Sequence, residues 1–301
     1  MTPNRHPARV GSVGVIGAGA VGQTITTALV ASGFCRRLLV ASRTLDQAAL
    51  AADLEDMRQA TGSPVQPSPH SAVDLAVCHA VVIAVRATFT DTRITDMRMG
   101  GAVANAPAIR ALGKALRGYA GTVLVVTNPV DLMTRLFADT SGCPRVYGIG
   151  SNLDSARYRL VLARLLQVAA AAVDGHVIGE HGDSAVVCAS STTVGGQPAA
   201  VLLAEVRARL RARPGRISAG AGRTRCGPAG AVLSTLRKAL GLADGVEELT
   251  ASHGGDWLGI PLRFTAGEPI PCLPDLNPGD ARQLTTAGLK LRAAYQALRL
   301  P

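Results

Sequence analysis

The chain has 301 residues, 48% of them hydrophobic and only 17% charged, a size and composition that allow two ordinary domains with a substantial core and exclude a disordered chain. Its formal charge of +10 does not by itself make a nucleic-acid binder. The arginines are scattered and only 3% of residues are aromatic, too few for base stacking, so no polynucleotide partner is expected.

The opening MTPNRHPARV lacks the apolar core of a secretory signal. Ser12–Ile16 predicts a first strand, and Gly17-Ala-Gly19-Ala-Val-Gly22 follows it to open a helix running to Ser32. In such a turn Gly17 permits the tight bend, Gly19 lets backbone approach a pyrophosphate and Gly22 lets the helix pack closely. The helix N-terminus adds unpaired N–H groups for the phosphates, and dinucleotide binding is expected here. Leu38–Ala41 predicts the second strand, which ends in Ala41-Ser42-Arg43. A carboxylate usually stands at that end to hold a free ribose 2′-hydroxyl, whereas Ser42 and Arg43 suit a 2′-phosphate, so NADP is expected over NAD. The bland alternative makes Arg43 part of a solvated loop.

Thr44–Thr61 reads as a crossover helix, and Val81–Val85 and Thr122–Thr127 as further strands. Their near-continuous apolar character fits strands covered on both faces. The alternation predicts a doubly wound α/β sheet, and none of the apolar runs is long enough to cross a membrane. A boundary near Gly150 divides a dinucleotide-binding domain, 1–150, from a substrate domain, 151–301. In the second half a helix is expected from Asp154 to Gln167, with Ser151 or Asn152 at its N-cap. Another is expected over Leu202–Ala212, stopped by Pro214-Gly215, and a third over Asp280–Leu300. Six dispersed cysteines show no C-x-x-C pair, as in a cytoplasmic protein with reduced thiols and no metal site.

Three segments carry chemistry: Thr127-Asn128-Pro129-Val130-Asp131, Asn152-Leu153-Asp154-Ser155-Ala156-Arg157 and Gly179-Glu180-His181-Gly182-Asp183-Ser184. Each alone has an ordinary structural explanation. Together they have a common purpose, because an imidazole exchanges protons near neutral pH and a carboxylate can fix its tautomer. Arg157, three residues beyond Asp154 on one helix face, offers a planar fork for a carboxylate. Asn128 follows a strand at the edge where such sheets bind ligands.

The glycine turn, TNPVD, NLDSAR and GEHGDS, in that order, resemble the lactate/malate dehydrogenase family. The resemblance implies an N-terminal Rossmann domain, a C-terminal α+β domain and hydride transfer between a nicotinamide cofactor and a small 2-oxo or 2-hydroxy acid. It implies that His181 is the proton donor and acceptor, Asp154 its partner, Arg157 the carboxylate anchor and Asn128 a contact to nicotinamide and substrate oxygen. Arg98 would be the loop arginine that polarises the carbonyl as the site closes. Such proteins are commonly homodimers or homotetramers.

Two stretches depart from the family pattern. Arg86 to Arg98 is unusual in length and charge, and Arg93 becomes a candidate for the substrate's distal group, although Asp91 and Asp96 oppose it. In Gly222-Arg-Thr-Arg-Cys-Gly227, Thr224 matches a substrate contact with unusually basic neighbours, Arg223 and Arg225. These either recognise an extra anionic group or point to solvent, the latter being slightly preferred. The alternatives that stay open are a malate-type dicarboxylate or C=N reductase, and a silent dinucleotide-binding protein.

Overall fold

Short apolar runs punctuated by glycine become buried parallel strands in the first half of the chain. The computed structural model describes residues 9–43, 46–90 and 99–299. Its first half runs β1 (Val10–Ile16), α1 (Ala20–Ser32), β2 (Cys35–Ala41), α2 (Gln47–Thr61), β3 (Gln66–Pro69), β4 (Ala80–Ile83), α3 (Ala102–Ala115), β5 (Thr122–Val125), α4 (Val130–Ser141) and β6 (Arg145–Ile149). These strands pair in parallel in the order β3-β2-β1-β4-β5-β6. The order reverses direction between β1 and β4, and a doubly wound sheet opens its ligand crevice at such a point, beyond the carboxyl ends of the strands. Asp46 starts α2 by accepting from the Ala48 and Ala49 amides, and Gly62, left-handed at φ 65°, ends it. The edge strand β3 escapes a sequence reading because its QPSP carries two prolines, which only an edge tolerates.

The second half continues with α5 (Ser151–Leu166), β7 (Val173–Asp174), β8 (Val177–Gly179), β9 (Ala185–Val187), β10 (Thr193–Val194), β11 (Gln197–Pro198), α6 (Leu203–Ala221), α7 (Cys226–Ala239), β12 (Gly245–His253), β13 (Asp256–Thr265), β14 (Glu268–Pro271) and α8 (Pro278–Arg299). Strand β12 pairs antiparallel with β6, Leu249 opposite Ile149, so the parallel sheet runs on into an antiparallel one. This is the expected α/β architecture with a mixed C-terminal half.

Two helix boundaries differ from expectation. Gly150 rather than Ser151 or Asn152 caps α5, whose first turn already contains both residues. Helix α6 passes through Pro214 and ends at Ala221. A proline removes one helical hydrogen bond, but α6 buries only Val206, so solvent can satisfy the carbonyl released one turn back.

One apolar core spans both halves, from Val13, Leu38, Val82 and Leu124 through Leu236 to Ile260, Phe264 and Tyr295. A second cluster, centred on Tyr158, Leu162 and Val206, seats α5 against α6 and the small strands. Among the described residues no helix is long and apolar enough to cross a membrane.

Candidate active site

The glycine turn sits where β1 ends, on the crevice side of the sheet. Gly17 adopts φ 107°, and a Cβ there would lie 2.6 Å from the Ala84 carbonyl oxygen at the end of β4. A Cβ on Gly22 would collide with the Gly17 carbonyl. These two glycines therefore let turn, helix and neighbouring strand close on one another. Gly19 differs, because nothing lies within 4 Å of its virtual Cβ. That open approach, directly before the start of α1, leaves the room a diphosphate needs against bare backbone. The turn fits a dinucleotide.

At the end of β2, Ala41 is buried and stands where an acid would contact a ribose. The Ser42 amide donates to Gln47 Oε1 at 2.9 Å, Arg43 is exposed, and the nearby Asp46 carboxylate is committed to capping α2. No carboxylate stands at the end of β2 itself, where Ala41, Ser42 and Arg43 follow one another.

Across the crevice, α5 and the segment after β8 bring His181, Asp154 and Arg157 together. His181 Nδ1 lies 2.6 Å from Asp154 Oδ2, and Arg157 Nη1 lies 3.3 Å from Asp154 Oδ1. His181 and Arg157 are 8% and 6% exposed, so this charged chain is largely shielded from water, which strengthens its interactions. Gly150 makes the fit possible, since a Cβ there would stand 2.5 Å from His181 Cγ.

The main chain of His181 is fixed by a residue that sequence reasoning left without a role. The His181 amide donates to Asp131 Oδ2 at 2.8 Å, and the Thr250 hydroxyl donates to Asp131 Oδ1 at 2.6 Å. Burial pushes the Asp131 carboxyl up to about 6, against the two hydrogen bonds and the His181 charge that hold it down. Asp131 stands in the quoted TNPVD segment, on the first turn of α4, so the signal was present. Asn105 was passed over too. Its side chain accepts from the Ala87 amide at 2.7 Å and donates to the Asn128 carbonyl at 2.8 Å, strapping the ends of β4 and β5 together. The Thr127 hydroxyl adds a bond to the Val85 carbonyl at 2.8 Å, and Asn128 itself is exposed at this edge.

Arg93 and Arg98 lie outside the described residues, as do Asp91 and Asp96. Thr224 and Arg225 occupy the turn between α6 and α7, where with Arg223 and Arg157 they line one cavity of about 520 Å³. A larger open depression, about 790 Å³, lies at the amino edges of β1 and β2 around Arg9, Arg36 and Arg37. It is on the wrong side of the sheet for the glycine turn, and volume alone does not mark the site.

Fold and site together define a class: a doubly wound nucleotide-binding chain with a shielded His–Asp–Arg cluster facing its crevice. Residues 12–150 match the family described as lactate/malate dehydrogenase, NAD binding domain, and residues 151–209 match its alpha/beta C-terminal domain. The chain belongs to the lactate/malate dehydrogenase family. It is 36% identical over 194 residues to an L-lactate dehydrogenase of Deinococcus radiodurans, covering 62% of each chain. It is 37% identical over 190 residues to that of Thermus aquaticus, covering 61% of this chain and 60% of the relative. The alignments thus span about three fifths of these curated relatives. Among solved structures it superposes on a minor L-lactate dehydrogenase of Enterococcus mundtii with a TM-score of 0.87, 24% identity and coverage of 97% and 99%. It matches the malate dehydrogenase of Plasmodium falciparum with a TM-score of 0.87, 18% identity and coverage of 96% and 98%. At these identities the superpositions establish the fold.

Proposed function

We propose that the chain is an oxidoreductase that interconverts a small 2-oxo acid and its 2-hydroxy acid, with NADP(H) preferred as cofactor. The observation that carries this reading is the contact of His181 Nδ1 with Asp154 at 2.6 Å, with Arg157 on the second oxygen of the same carboxylate. Membership of the family supports it. Residues 1–150 would serve the cofactor and 151–301 the substrate, in a cytoplasmic homodimer or homotetramer.

Reduction adds a hydride to the carbonyl carbon and a proton to its oxygen. A bound nicotinamide supplies or accepts the hydride. Asp154 holds the imidazole through Nδ1, which commits the opposite nitrogen, Nε2, to proton exchange with the substrate oxygen. Arg157 anchors the substrate carboxylate through its fork, which fixes which carbonyl faces His181. Asn128 presents a polar side chain at the same edge, and Thr224 borders the pocket. Arg98 is assigned to stabilise the developing oxyanion, with Arg93 towards the distal group.

The test is reduction of a panel of 2-oxo acids with NADPH and with NADH. Turnover should appear on at least one acid and fall about 10³-fold in His181→Ala. Cofactor binding with no turnover on any acid would leave a silent nucleotide-binding protein instead, and an undiminished His181→Ala would remove His181 from the proton-transfer role. The NADP preference rests on the absence of an acid at Ala41 and the presence of Ser42 and Arg43. A Ser42→Asp, Arg43→Ala double variant should shift the kcat/KM ratio towards NADH by at least about tenfold. An unchanged ratio would remove Ser42 and Arg43 as its determinants, and a wild-type ratio favouring NADH would return the assignment to NAD, in keeping with the name of the matched domain.

A further inference from the structure

Helix α5, the far end of α6 and the turn into α7 enclose the 520 Å³ cavity that Arg157 shares with Thr224. Among the described residues five arginines line it, and one acid, Glu247. The charges do not cancel locally. Arg157 is paired with Asp154, and Arg159 Nη1 lies 3.0 Å from Glu248. Glu247 is taken up by Lys238 Nζ at 2.6 Å, with Asn152 and Ser234 also bonded to it. That leaves Arg213, Arg223 and Arg225, none of which makes an ion pair with a described residue.

Three arginines bordering one cavity concentrate positive charge there, which favours an anionic occupant. A short acid held at Arg157 would also leave most of a 520 Å³ space unfilled. Resting on the dehydrogenase reading above, we propose that the 2-oxo acid carries a polyanionic tail of the phosphate or phosphonate type, received by Arg213, Arg223 and Arg225. A carboxylate tail offers one negative charge and two oxygens, enough for a single bidentate arginine. A phosphonate offers three oxygens and up to two charges, matched to two or three planar forks. The solvent-facing reading of Arg223 and Arg225 is thereby narrowed: both are exposed, yet both border the cavity that reaches the carboxylate anchor.

Binding and turnover separate the two readings. Calorimetry on the full chain, with and without NADP⁺ so that no reduction occurs, would compare pyruvate, 2-oxoglutarate and 3-phosphonopyruvate. The phosphonate should bind at least about tenfold more tightly than either other acid. Arg223→Ala with Arg225→Ala should erase that margin, and the Lys pair at the same positions should keep part of it, which separates lost recognition from misfolding. Arg36→Ala with Arg37→Ala, an equal charge change on the remote amino edge, should keep the margin intact. Equal affinity for all three acids, a margin that survives the Arg223/Arg225 Ala pair, or an equal loss in the Arg36/Arg37 control would each overturn the tail assignment. Absence of turnover with NADPH or NADH on every acid counts against the dehydrogenase reading alone, because tail-selective binding is read without it.

Discussion

Asp131 shows how much of the candidate site depends on a residue outside the His181–Asp154 contact. It holds the His181 backbone while Asp154 holds the ring, so the imidazole is located from two sides. Its carboxyl, raised from 3.8 to about 6, binds more protons in the folded chain than in the unfolded one between those values. The stability this group contributes is therefore present at low pH and fades as pH rises through about 4 to 6. Asp131→Asn should lack that slope, with a wild-type-minus-variant difference that changes by a few kcal/mol across the window. Urea unfolding of both proteins at pH 4, 5 and 6 checks it, and a difference independent of pH would contradict it. Asp154→Asn removes the charge that fixes the imidazole, and kcat should drop about 100-fold or more with little change in urea midpoint. An equal fall in stability would make Asp154 a packing residue first.

At the scale of elements, the β1–α1 turn separates two kinds of glycine. Gly22→Ala drives a methyl into the Gly17 carbonyl and should cost about 2–4 kcal/mol of stability as well as dinucleotide affinity. Gly19→Ala faces open space, so it should keep the melting temperature while weakening dinucleotide binding by about tenfold or more, because the methyl occupies the phosphate approach. Thermal melts beside fluorescence titrations with NADPH would distinguish them. Equal destabilisation by both would mean that the turn has no open face. Helix α6 teaches the opposite lesson about local rules. Pro214-Gly215 reads as a stop, yet the helix continues, because a surface helix can leave a carbonyl to water.

The whole molecule is tied together at the segment that carries His181. Lys290 of α8 reaches Glu180, the residue before His181, at 2.9 Å, and Glu180 also accepts from the Ser184 amide at 3.1 Å. Glu180 is only 2% exposed while Lys290 is 28% exposed, so the pair sits between a buried and a solvated one. Lys290→Met should cost about 1–3 kcal/mol, discounted for that exposure, and leave the Glu180 carboxylate poorly compensated. Hydrogen exchange should accelerate in residues 181–184 before the rest of the chain. Uniform acceleration would show that α8 merely adds global stability.

The sequence by itself determined the doubly wound first half, the glycine turn and the placing of Asp154 and Arg157 on one helix face, while the pairing of His181 with Asp154, 27 residues apart, was implied by the family resemblance. Apolar strand runs, turn glycines and an i,i+3 spacing are local signals, and each element forms largely from its own residues. It missed β3, the continuation of the sheet through β6 and β12, and the extension of α6, since proline-bearing edges and antiparallel pairings depend on partners remote in the chain. Asp131 and Asn105 were legible as letters and not as functions, because their partners stand 50 and 23 residues away. The arginines after α6 were equally visible in the sequence, but a guanidinium's surroundings decide whether it serves solvent or a ligand. Only the tertiary structure placed Arg223 and Arg225 on the wall of the cavity they share with Arg157, because long side chains acquire a common target only when separate helices pack around it.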